Sequence, residues 1–284
     1  MLDHAQRDAY AADGYVSPVR VMSEGAARGL RERIEALERD HPDGAGGHAL
    51  AQLFRVNGQL VIPLLADIAR VPGIVDAVGC ILGPDLLVWS VELFIKEPGS
   101  AATVSWHQDI TYWGMGETDE EATAWLALTD VSVEAGCMRF VPGSHANGVL
   151  AHEDTFGDGN MLSRGQTLPG VDEARARHGP LAPGEISIHH GRCFHASGPN
   201  RSADRRIGVA IRYVTPGVRQ SAGGRDYAML VKGRDAEAGW IHVAPPLRLF
   251  DPDALALYDE VLAAQTAVLA AGAEGRTAGY GGAA

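Results

Sequence analysis

The spacing of apolar residues along the chain changes near residue 86. Before that point, apolar positions recur every three or four residues, which is typical of one buried face of a helix. The spacing predicts a helix over residues 23–39, with Ser23 as its N-cap residue. It predicts a second helix over residues 72–82, with a proline in the first turn and Gly83 just past the end. The first part of the chain is therefore predicted to be helical.

From residue 86 onward, the pattern becomes typical of strands. Six short stretches rich in β-branched and aromatic residues are separated by turn-forming clusters. They are LLVWSVELFIKEPG, ATVSWH, ATAWLALTDV, GCMRFVPG, GEISIHH and RRIGVAIRYV. Because no helix separates them, they indicate an antiparallel sandwich or a closed jelly roll. The polar segment 151–179 is predicted to be a long loop, and a last helix is predicted from residue 252 to about residue 271.

We expect one domain for the whole chain. With 284 residues, 46% of them hydrophobic, the chain can bury a core of that size. The expected parts are a helical N-terminal part over about 1–85, a jelly-roll core over about 86–218, and a C-terminal extension with a helix over about 219–284. The expected fold class is therefore mainly β with flanking helices.

Charge and cysteine content narrow the possible partners and compartment. The formal net charge of −12 argues against nucleic acid or an anionic membrane as a partner, because both bind basic surfaces. The three cysteines are not clustered, so neither a disulfide framework nor a thiolate metal site is indicated. The N-terminus carries acidic residues, and no apolar run approaches the ~18 residues of a membrane span. We therefore expect an untargeted, cytoplasmic protein.

A histidine and an aspartate two residues apart occur three times in the sequence. His107 and Asp109 come at the end of a predicted strand, where residues i and i+2 point the same way and can share one cation. The copy at 41–43 lies in a loop rich in proline and glycine, and the copy at 152–154 lies in the long polar loop. We expect only His107 and Asp109 to bind a metal.

A third metal ligand could come from the stretch HHGRCFHASGPNRS, in which His189, His190 and His195 compete. Two histidines and one carboxylate on one face leave three positions of an octahedral iron open for a chelating cofactor and oxygen. Arg206 follows eleven residues after His195, at the start of the next predicted strand. Its planar and permanently charged side chain could bind a carboxylate.

These residues stand within ordered motifs that closely resemble the phytanoyl-CoA dioxygenase family of iron(II)- and 2-oxoglutarate-dependent oxygenases. The resemblance covers roughly residues 10–213, and its motifs are WHQD, AWLALTD, GCMRFVPGSH, HASGPNRS and RRIGVAIRY. It implies a double-stranded β-helix, a cupin-like jelly roll, in which His107, Asp109 and His195 are the metal ligands. It selects His195 because the distal histidine of the family is followed by xSxPN and, eleven positions later, by the arginine that binds the co-substrate.

The resemblance also implies which residues hold 2-oxoglutarate. Ser197 and Arg206 match the residues that bind its distal carboxylate, and Trp125 matches a tryptophan of the family near 2-oxoglutarate. Lys96 could reach a carboxylate, but a lysine at the end of a strand is usually solvated. Gln108 is expected to face away from the metal by strand alternation.

Two loops are candidates for contacts with the primary substrate. Tyr112 and Trp113 lie beside acidic residues and could favour a cationic amine through cation–π contacts and charge. Arg219 and Arg225, in a second loop, could instead hold an anionic group. Both alternatives stay open, because the resemblance is to a family whose substrates include lipid thioesters, amino acids, alkaloids and antibiotics.

The resemblance implies hydroxylation of a C–H bond of a small molecule, such as a secondary metabolite or an amino-acid-like compound. Iron(II), 2-oxoglutarate and O2 would be used, and succinate and CO2 released. Halogenating relatives carry a small residue where this chain has Asp109, so hydroxylation is favoured over halogenation. Desaturation, epimerisation and cyclisation stay open.

Two alternatives come from other classes of protein. A cupin-like metalloenzyme that works without 2-oxoglutarate gives no reason for the spacing between His195 and Arg206. A jelly-roll binding module without catalysis predicts no tight binding of iron(II).

Overall fold

The computed structural model describes residues 1–155, 159–162, 165–220 and 224–271. Within these residues the chain forms six α-helices and eleven β-strands, joined by turns and short 3-10 helices. The helices are α1 (His4–Asp13), α2 (Glu24–Asp40), α3 (Leu50–Arg55), α4 (Pro63–Ala69), α5 (Pro72–Leu82) and α6 (Pro252–Ala271). The strands are β1 (Tyr15–Arg20), β2 (Leu86–Lys96), β3 (Val104–His107), β4 (Glu121–Ala127), β5 (Met138–Phe140), β6 (Arg177–Gly179), β7 (Glu185–His189), β8 (His195–Ser197), β9 (Arg206–Val214), β10 (Tyr227–Lys232) and β11 (Ile241–His242).

The three helices expected from the sequence are all present. The Ser23 side chain accepts a hydrogen bond from the amide of Ala26, at 3.2 Å, and so caps the start of α2. Pro72 begins α5, and Gly83 follows its end with a positive φ of 98°, a conformation that favours glycine. The last predicted helix coincides with α6. Capping residues and apolar spacing were therefore sufficient to predict where each of these helices lies.

The strands form two sheets. The large sheet has seven strands in the order β1-β7-β4-β9-β2-β10-β11, and the small sheet has four in the order β3-β8-β5-β6. All pairings are antiparallel except the short one between β10 and β11. The expected class, mainly β with flanking helices in a jelly-roll arrangement, is confirmed, although the two sheets are not closed into a barrel.

The two faces of the large sheet differ because side chains alternate along each strand. On the outer face, Ile207, Val209 and Ile211 of β9 are fully buried and belong to the main hydrophobic core with residues of helices α2 to α5. On the inner face, Arg206 and Arg212 of the same strand are also buried. Apolar residues of this inner face pack with residues of β5, so the inner face is turned toward the small sheet.

Strands outside the expected jelly-roll core of 86–218 also join the large sheet. Strand β1 pairs with β7, with Tyr15 opposite His189, and β10 pairs with β2, with Met229 opposite Val88. Both partners are distant in sequence, so no local pattern indicates these pairings. The assignment of the chain to one catalytic domain stays a prediction.

The predicted loop over 151–179 is shorter than expected. Its last residues form a 3-10 turn and then β6, in which Gly179 pairs with Met138 of β5. Positions 156–158 and 163–164 of this segment lie outside the described residues. Among the helices described, none combines the length and the apolar content needed to cross a membrane.

Candidate active site

His107, Asp109 and His195 come together as a buried group in which one ligand atom from each lies within 4.8 Å of the others. His107 ends β3 and lies directly opposite His195, the first residue of β8. The Asp109 Oδ1 atom is 3.4 Å from Nε2 of His107 and 3.8 Å from Nε2 of His195. Among the described residues this is the one such group of three metal-binding side chains.

The orientation of both imidazoles suits metal binding. Nδ1 of His107 lies 2.9 Å from the carbonyl oxygen of Ser105, and Nδ1 of His195 lies 2.9 Å from that of Cys193. A carbonyl oxygen accepts only, so each Nδ1 carries the proton and each Nε2 is the nitrogen that could bind a metal. Burial, with the nearby histidines, lowers the pKa of His195 well below its usual value, so this ring is neutral. Two imidazoles that present Nε2, together with one carboxylate, fit a divalent iron.

Gln108 explains how His107 and Asp109 come to face the same point. Its backbone is extended, with φ −116° and ψ 128°, so its two neighbours point the same way although a 3-10 helix begins at Asp109. The buried Gln108 side chain donates to the carbonyl oxygens of Gly148 and Arg192 and accepts from the amide of Leu150. It therefore fixes this turn against neighbouring loops.

The second carboxylate oxygen of Asp109 is held by a row of side chains from the large sheet. Oδ2 accepts from Thr123 Oγ1 at 2.8 Å and from Arg212 Nη1 at 2.7 Å, and His189 Nε2 lies 3.3 Å away. These three residues are neighbours across strands β9, β4 and β7. Burial by itself raises the pKa of Asp109, but the positive charge of Arg212 and the histidines lower it well below its usual value. Asp109 is therefore ionised and fixed in orientation.

Sequence reasoning missed Arg212. Its Nε and Nη2 atoms bond both carboxylate oxygens of Glu92, at 3.2 and 3.1 Å, while its Nη1 bonds Asp109. Its guanidinium also lies 5.1 Å above the ring of Trp113. One signal could have found it, because Arg212 is six residues after Arg206, an even spacing that puts both on one face of a strand.

A second buried group lies at the other end of the inner face. The Arg206 guanidinium lies 4.7 Å above the ring of Trp125, and its Nη1 is 3.5 Å from Ser197 Oγ. Lys96 lies opposite Arg206 in the register and donates to Ser197 Oγ at 2.8 Å and to the Gly198 carbonyl oxygen at 2.7 Å. The expectation that Lys96 is solvated is wrong, because it points inward from β2 and only 1% of it is exposed.

This basic group lacks an anionic partner. No ion pair joins Lys96 or Arg206 to a carboxylate of the described residues, and the buried Nε of Arg206 has no hydrogen-bond partner there. Burial, with the charges of Arg206 and Arg55, lowers the pKa of Lys96 to about 6, and burial lowers the pKa of Arg206 to about 10. A buried, unpaired guanidinium is costly unless an anion joins it. The group therefore fits a carboxylate such as that of 2-oxoglutarate.

Close packing fixes Trp125 in this group. A Cβ atom at Gly208 would lie 1.8 Å from the Trp125 ring, so only glycine leaves room for the indole over β9. Arg205, by contrast, is directed to the surface, where it bonds Glu38 and Glu97. The two adjacent arginines therefore face opposite sides of the sheet.

Apart from His189, which lies beside Asp109, the other histidines proposed from the sequence contact other groups. His190 accepts from the Arg192 amide through Nδ1, at 3.0 Å, and its Nε2 lies 3.1 Å from Asp119. Burial lowers its pKa to about 4 and raises that of the adjacent Glu121 to about 8. His41 packs against Phe250. His152 accepts through Nε2 from the Gln108 amide, at 3.0 Å.

The candidate substrate residues are spread apart. Trp113 is buried beside Trp89, with ring centroids 5.3 Å apart, and contacts the site through Arg212. The backbone of Tyr112 closes the 3-10 helix after Asp109, but its side chain lies outside the described part of the chain. Arg225 is exposed and lines a cavity of about 360 Å³ between its loop and α6.

Comparisons with known proteins bear on this fold and site. The profile of the phytanoyl-CoA dioxygenase (PhyH) family matches residues 10–208. A probable phytanoyl-CoA dioxygenase of Caenorhabditis elegans is 28% identical over 158 residues, which are 53% of this chain and 51% of that protein. The L-proline trans-4-hydroxylase of Streptomyces griseoviridis is 28% identical over 230 residues, 72% of this chain and 83% of that protein. The solved apo structure of the non-heme monooxygenase ThoJ is 32% identical, with a TM-score of 0.83 over 94% of this chain and 98% of that one.

Fold and site together define an enzyme that depends on iron(II) and 2-oxoglutarate. The chain belongs to the phytanoyl-CoA dioxygenase family. This confirms the resemblance drawn from the motifs and the two expected cofactors. The match spans only about half of the Caenorhabditis elegans relative, so the activity of that whole protein is not transferred.

Proposed function

We propose that this enzyme hydroxylates a C–H bond of a small molecule, of the secondary-metabolite or amino-acid-like class, with release of succinate and CO2. The observation that carries the proposal is that two buried groups lie between the small sheet and the inner face of the large sheet. One is the metal-binding set of His107, Asp109 and His195, and the other is the basic group around Arg206. If the enzyme worked without a 2-oxo acid, nothing would explain why Arg206 is buried without an anionic partner among the described residues.

In this proposal His107, Asp109 and His195 hold iron(II). Bound iron and 2-oxoglutarate supply the oxidising chemistry, which the protein side chains cannot provide themselves. Arg206 and Ser197 bind the distal carboxylate of 2-oxoglutarate, and Lys96 adds a third donor. Trp125 packs against Arg206 and limits the positions that the co-substrate can adopt. The role of these residues is to bind and orient, so that the chelating end of the co-substrate reaches the metal.

Asp109 supports hydroxylation over halogenation. A halogenase needs an open metal position in place of a carboxylate. Here Asp109 is ionised, and Thr123 and Arg212 hold its second oxygen by hydrogen bonds. Among relatives, the L-proline trans-4-hydroxylase hydroxylates a small amino acid and ThoJ is a monooxygenase, as their names state. Both agree with oxygen transfer to a small molecule.

An anaerobic titration tests the proposal. Iron(II) is added to the purified protein, followed by 2-oxoglutarate, and the visible absorption band of the iron chelate and the melting temperature are recorded. We expect a weak visible band and a rise in melting temperature, because a ligand that binds only the folded state stabilises it. After O2 is admitted, succinate should accumulate. If iron binds but 2-oxoglutarate changes neither the spectrum nor the melting temperature, the cupin-like alternative replaces this proposal.

A further inference from the structure

Glu92 is an acidic residue beside the candidate site to which the roles above give no function. It points to the inner face of the large sheet, because it stands four positions before Lys96 on β2 and side chains alternate along a strand. Its side chain is 14% exposed, whereas Lys96, Arg206 and Glu121 of the same face are almost completely buried. Among the ionisable residues that β2, β4 and β9 direct to this face, Glu92 is therefore the most accessible to a ligand.

The carboxylate of Glu92 has room for one more hydrogen-bond donor. Its Oε1 lies 3.2 Å from Nε of Arg212 and 3.4 Å from Oγ of Ser90, and its Oε2 lies 3.1 Å from Nη2 of Arg212. These contacts are long, since hydrogen bonds between oppositely charged groups are typically about 2.7–2.9 Å. A carboxylate offers about four acceptor positions, and the described residues use three of them. Oε2 of Glu92 can therefore accept a further hydrogen bond.

Arg212 places this carboxylate beside the metal-binding set. Its planar guanidinium bonds Glu92 through Nε and Nη2, and Asp109 through Nη1. The two carboxylates therefore lie at neighbouring edges of one group. Along β2, Phe94 separates Glu92 from Lys96, which belongs to the basic group around Ser197. A ligand at Glu92 would thus lie next to the metal-binding set and away from the group proposed to hold the distal carboxylate of 2-oxoglutarate.

The two other acids near the metal-binding set are already engaged. Burial raises the pKa of Glu121 to about 8, so its carboxyl group is mostly neutral at pH 7, and its Oε1 accepts from the Gly191 amide. Asp109 is buried, with Oδ1 near the two histidines and Oδ2 bonded by Arg212 and Thr123. Glu92 is therefore the acid on this face with both an accessible side chain and a remaining acceptor position.

The aromatic ring that the sequence offered for a cation–π contact with an amine has another partner. The Trp113 ring is buried and lies 5.1 Å from the guanidinium of Arg212. Arg55 interacts electrostatically with Glu92, but its guanidinium lies over the ring of Phe94. Recognition of an amine at this place would therefore depend on the Glu92 carboxylate and not on the Trp113 ring.

We propose that Glu92 binds an amino group of the primary substrate and so presents a carbon atom near that nitrogen to the metal. The inference rests on the proposed function and adds the chemical class of its substrate, an amine. An ammonium group donates to a carboxylate, and such charge-assisted hydrogen bonds are roughly twice as strong as neutral ones. A carboxylate of the substrate would instead be repelled by Glu92.

Binding measurements on the anaerobic complex with iron(II) and 2-oxoglutarate test this inference. The probes are a panel of α-amino acids and aliphatic amines, each paired with the analogue in which a hydroxyl group replaces the amino group. Binding is recorded at pH 7 as a perturbation of the visible band of the chelate and as a shift in melting temperature. The proteins are the wild type, Glu92→Gln and Glu92→Asp, with Glu121→Gln as a matched control. Glu121 is a glutamate of the same face, but it is fully buried and mostly neutral, so an amide in its place changes little charge.

We expect wild type and Glu121→Gln to bind at least one amine more tightly than its hydroxyl analogue. Glu92→Gln should lose at least about tenfold in affinity for that amine, or ~1.4 kcal/mol, and little for the analogue. Glu92→Asp keeps the charge but moves it away by one methylene group, so it should lose part of the preference, and it serves as the test if Glu92→Gln does not fold. Iron content and affinity for 2-oxoglutarate should stay unchanged in both Glu92 variants.

Three results would overturn the inference. In the first, no amine of the panel binds better than its hydroxyl analogue to the wild type. In the second, Glu92→Gln binds the preferred amine as the wild type does. In the third, the Glu92 variants lose iron or 2-oxoglutarate instead, which would mean that Glu92 acts only by holding Arg212 and Asp109 in place. Failure of the chelate band to form in the wild type is a separate result and contradicts the proposed function itself.

Discussion

The two faces of strand β9 bury side chains of opposite character. On the outer face Ile207, Val209 and Ile211 belong to the main hydrophobic core. On the inner face, one residue away each time, Arg206 and Arg212 are buried with almost no exposure. Arg212 is paired with Glu92 and Asp109, but burying Arg206 without an anion is unfavourable, so the outer face must supply the stability that this end of the inner face does not. Because side chains alternate along β9, one face of this strand stabilises the fold and the other face carries the charged residues of the site.

The largest effect is expected from removing Asp109, the proposed metal ligand that Arg212 of the inner face holds in place. Asp109→Gly should abolish succinate formation and lower the iron content, because it removes the only carboxylate of the ligand set while the outer core is untouched. Asp43→Ala and Asp154→Ala should keep full iron stoichiometry and turnover. Iron content and succinate per protein are measured for all three variants. Hydroxylation by Asp109→Gly at the wild-type rate would show that Asp109 is not a ligand.

The next largest effect is expected on the binding of 2-oxoglutarate, where substitutions of the two adjacent arginines should differ. Loss of one buried, charge-assisted pair typically costs ~2–5 kcal/mol, so Arg206→Ala should weaken 2-oxoglutarate binding by one to several orders of magnitude. Arg205→Ala breaks surface ion pairs with Glu38 and Glu97, so it should lower stability by at most ~1 kcal/mol and leave 2-oxoglutarate binding unchanged. Dissociation constants from the anaerobic titration decide the ranking. The reverse order would mean that the register of β9 is wrong.

A substitution on the outer face should act on stability alone. Ile211→Ala should lower the free energy of unfolding by ~2–5 kcal/mol, because it leaves a cavity in the main core. Iron and 2-oxoglutarate should bind to the folded variant as they do to the wild type. Denaturant unfolding and the anaerobic titration measure the two properties, with the exposed Val133→Ala as a control near zero. A large loss of iron affinity in Ile211→Ala would contradict the separation of the two faces.

The smallest effect concerns pH at the basic end of the inner face. Since the pKa of Lys96 is lowered to about 6, its side chain is charged below that pH and neutral above it. Its attraction for 2-oxoglutarate should therefore weaken as pH rises from 6 to 8, by at most about tenfold per pH unit. Lys96→Met should remove this dependence. Lys232→Met, at another strand end and paired with Asp76, should keep it. An unchanged pH profile in Lys96→Met would assign the dependence to another group.

The sequence predicted those residues of the site that stand in short motifs or at a fixed spacing from a motif. His107, Asp109 and His195 stand in short motifs, and Arg206 has a fixed spacing from His195. The structure brings His107, Asp109 and His195 together and places Arg206 on the inner face of the large sheet, while their roles as ligands and co-substrate contacts remain predictions. The helix boundaries of α2, α5 and α6 also followed from capping residues and periodicity.

The residues and strands that the sequence did not predict are placed by pairing between segments that are distant along the chain. Glu92 and Thr123 reach the site only because β2 and β4 lie on either side of β9 in a particular register. Lys96 was expected to be solvated because nothing local shows that the small sheet covers the end of β2. Likewise, no local pattern in the sequence of β1 indicates that it pairs with β7.

The hydrogen bond between Asp109 and Arg212 joins residues 103 positions apart and has a consequence for synthesis on the ribosome. At 5–20 residues per second, translation takes roughly 5–20 s to pass from Asp109 to Arg212. During that interval the nascent chain carries His107 and Asp109 without His195 for most of the time and without Arg212 throughout. The three-ligand site, with Asp109 held in place by Arg212, can therefore exist only once β9 has emerged, so metal loading follows synthesis of nearly the whole large sheet.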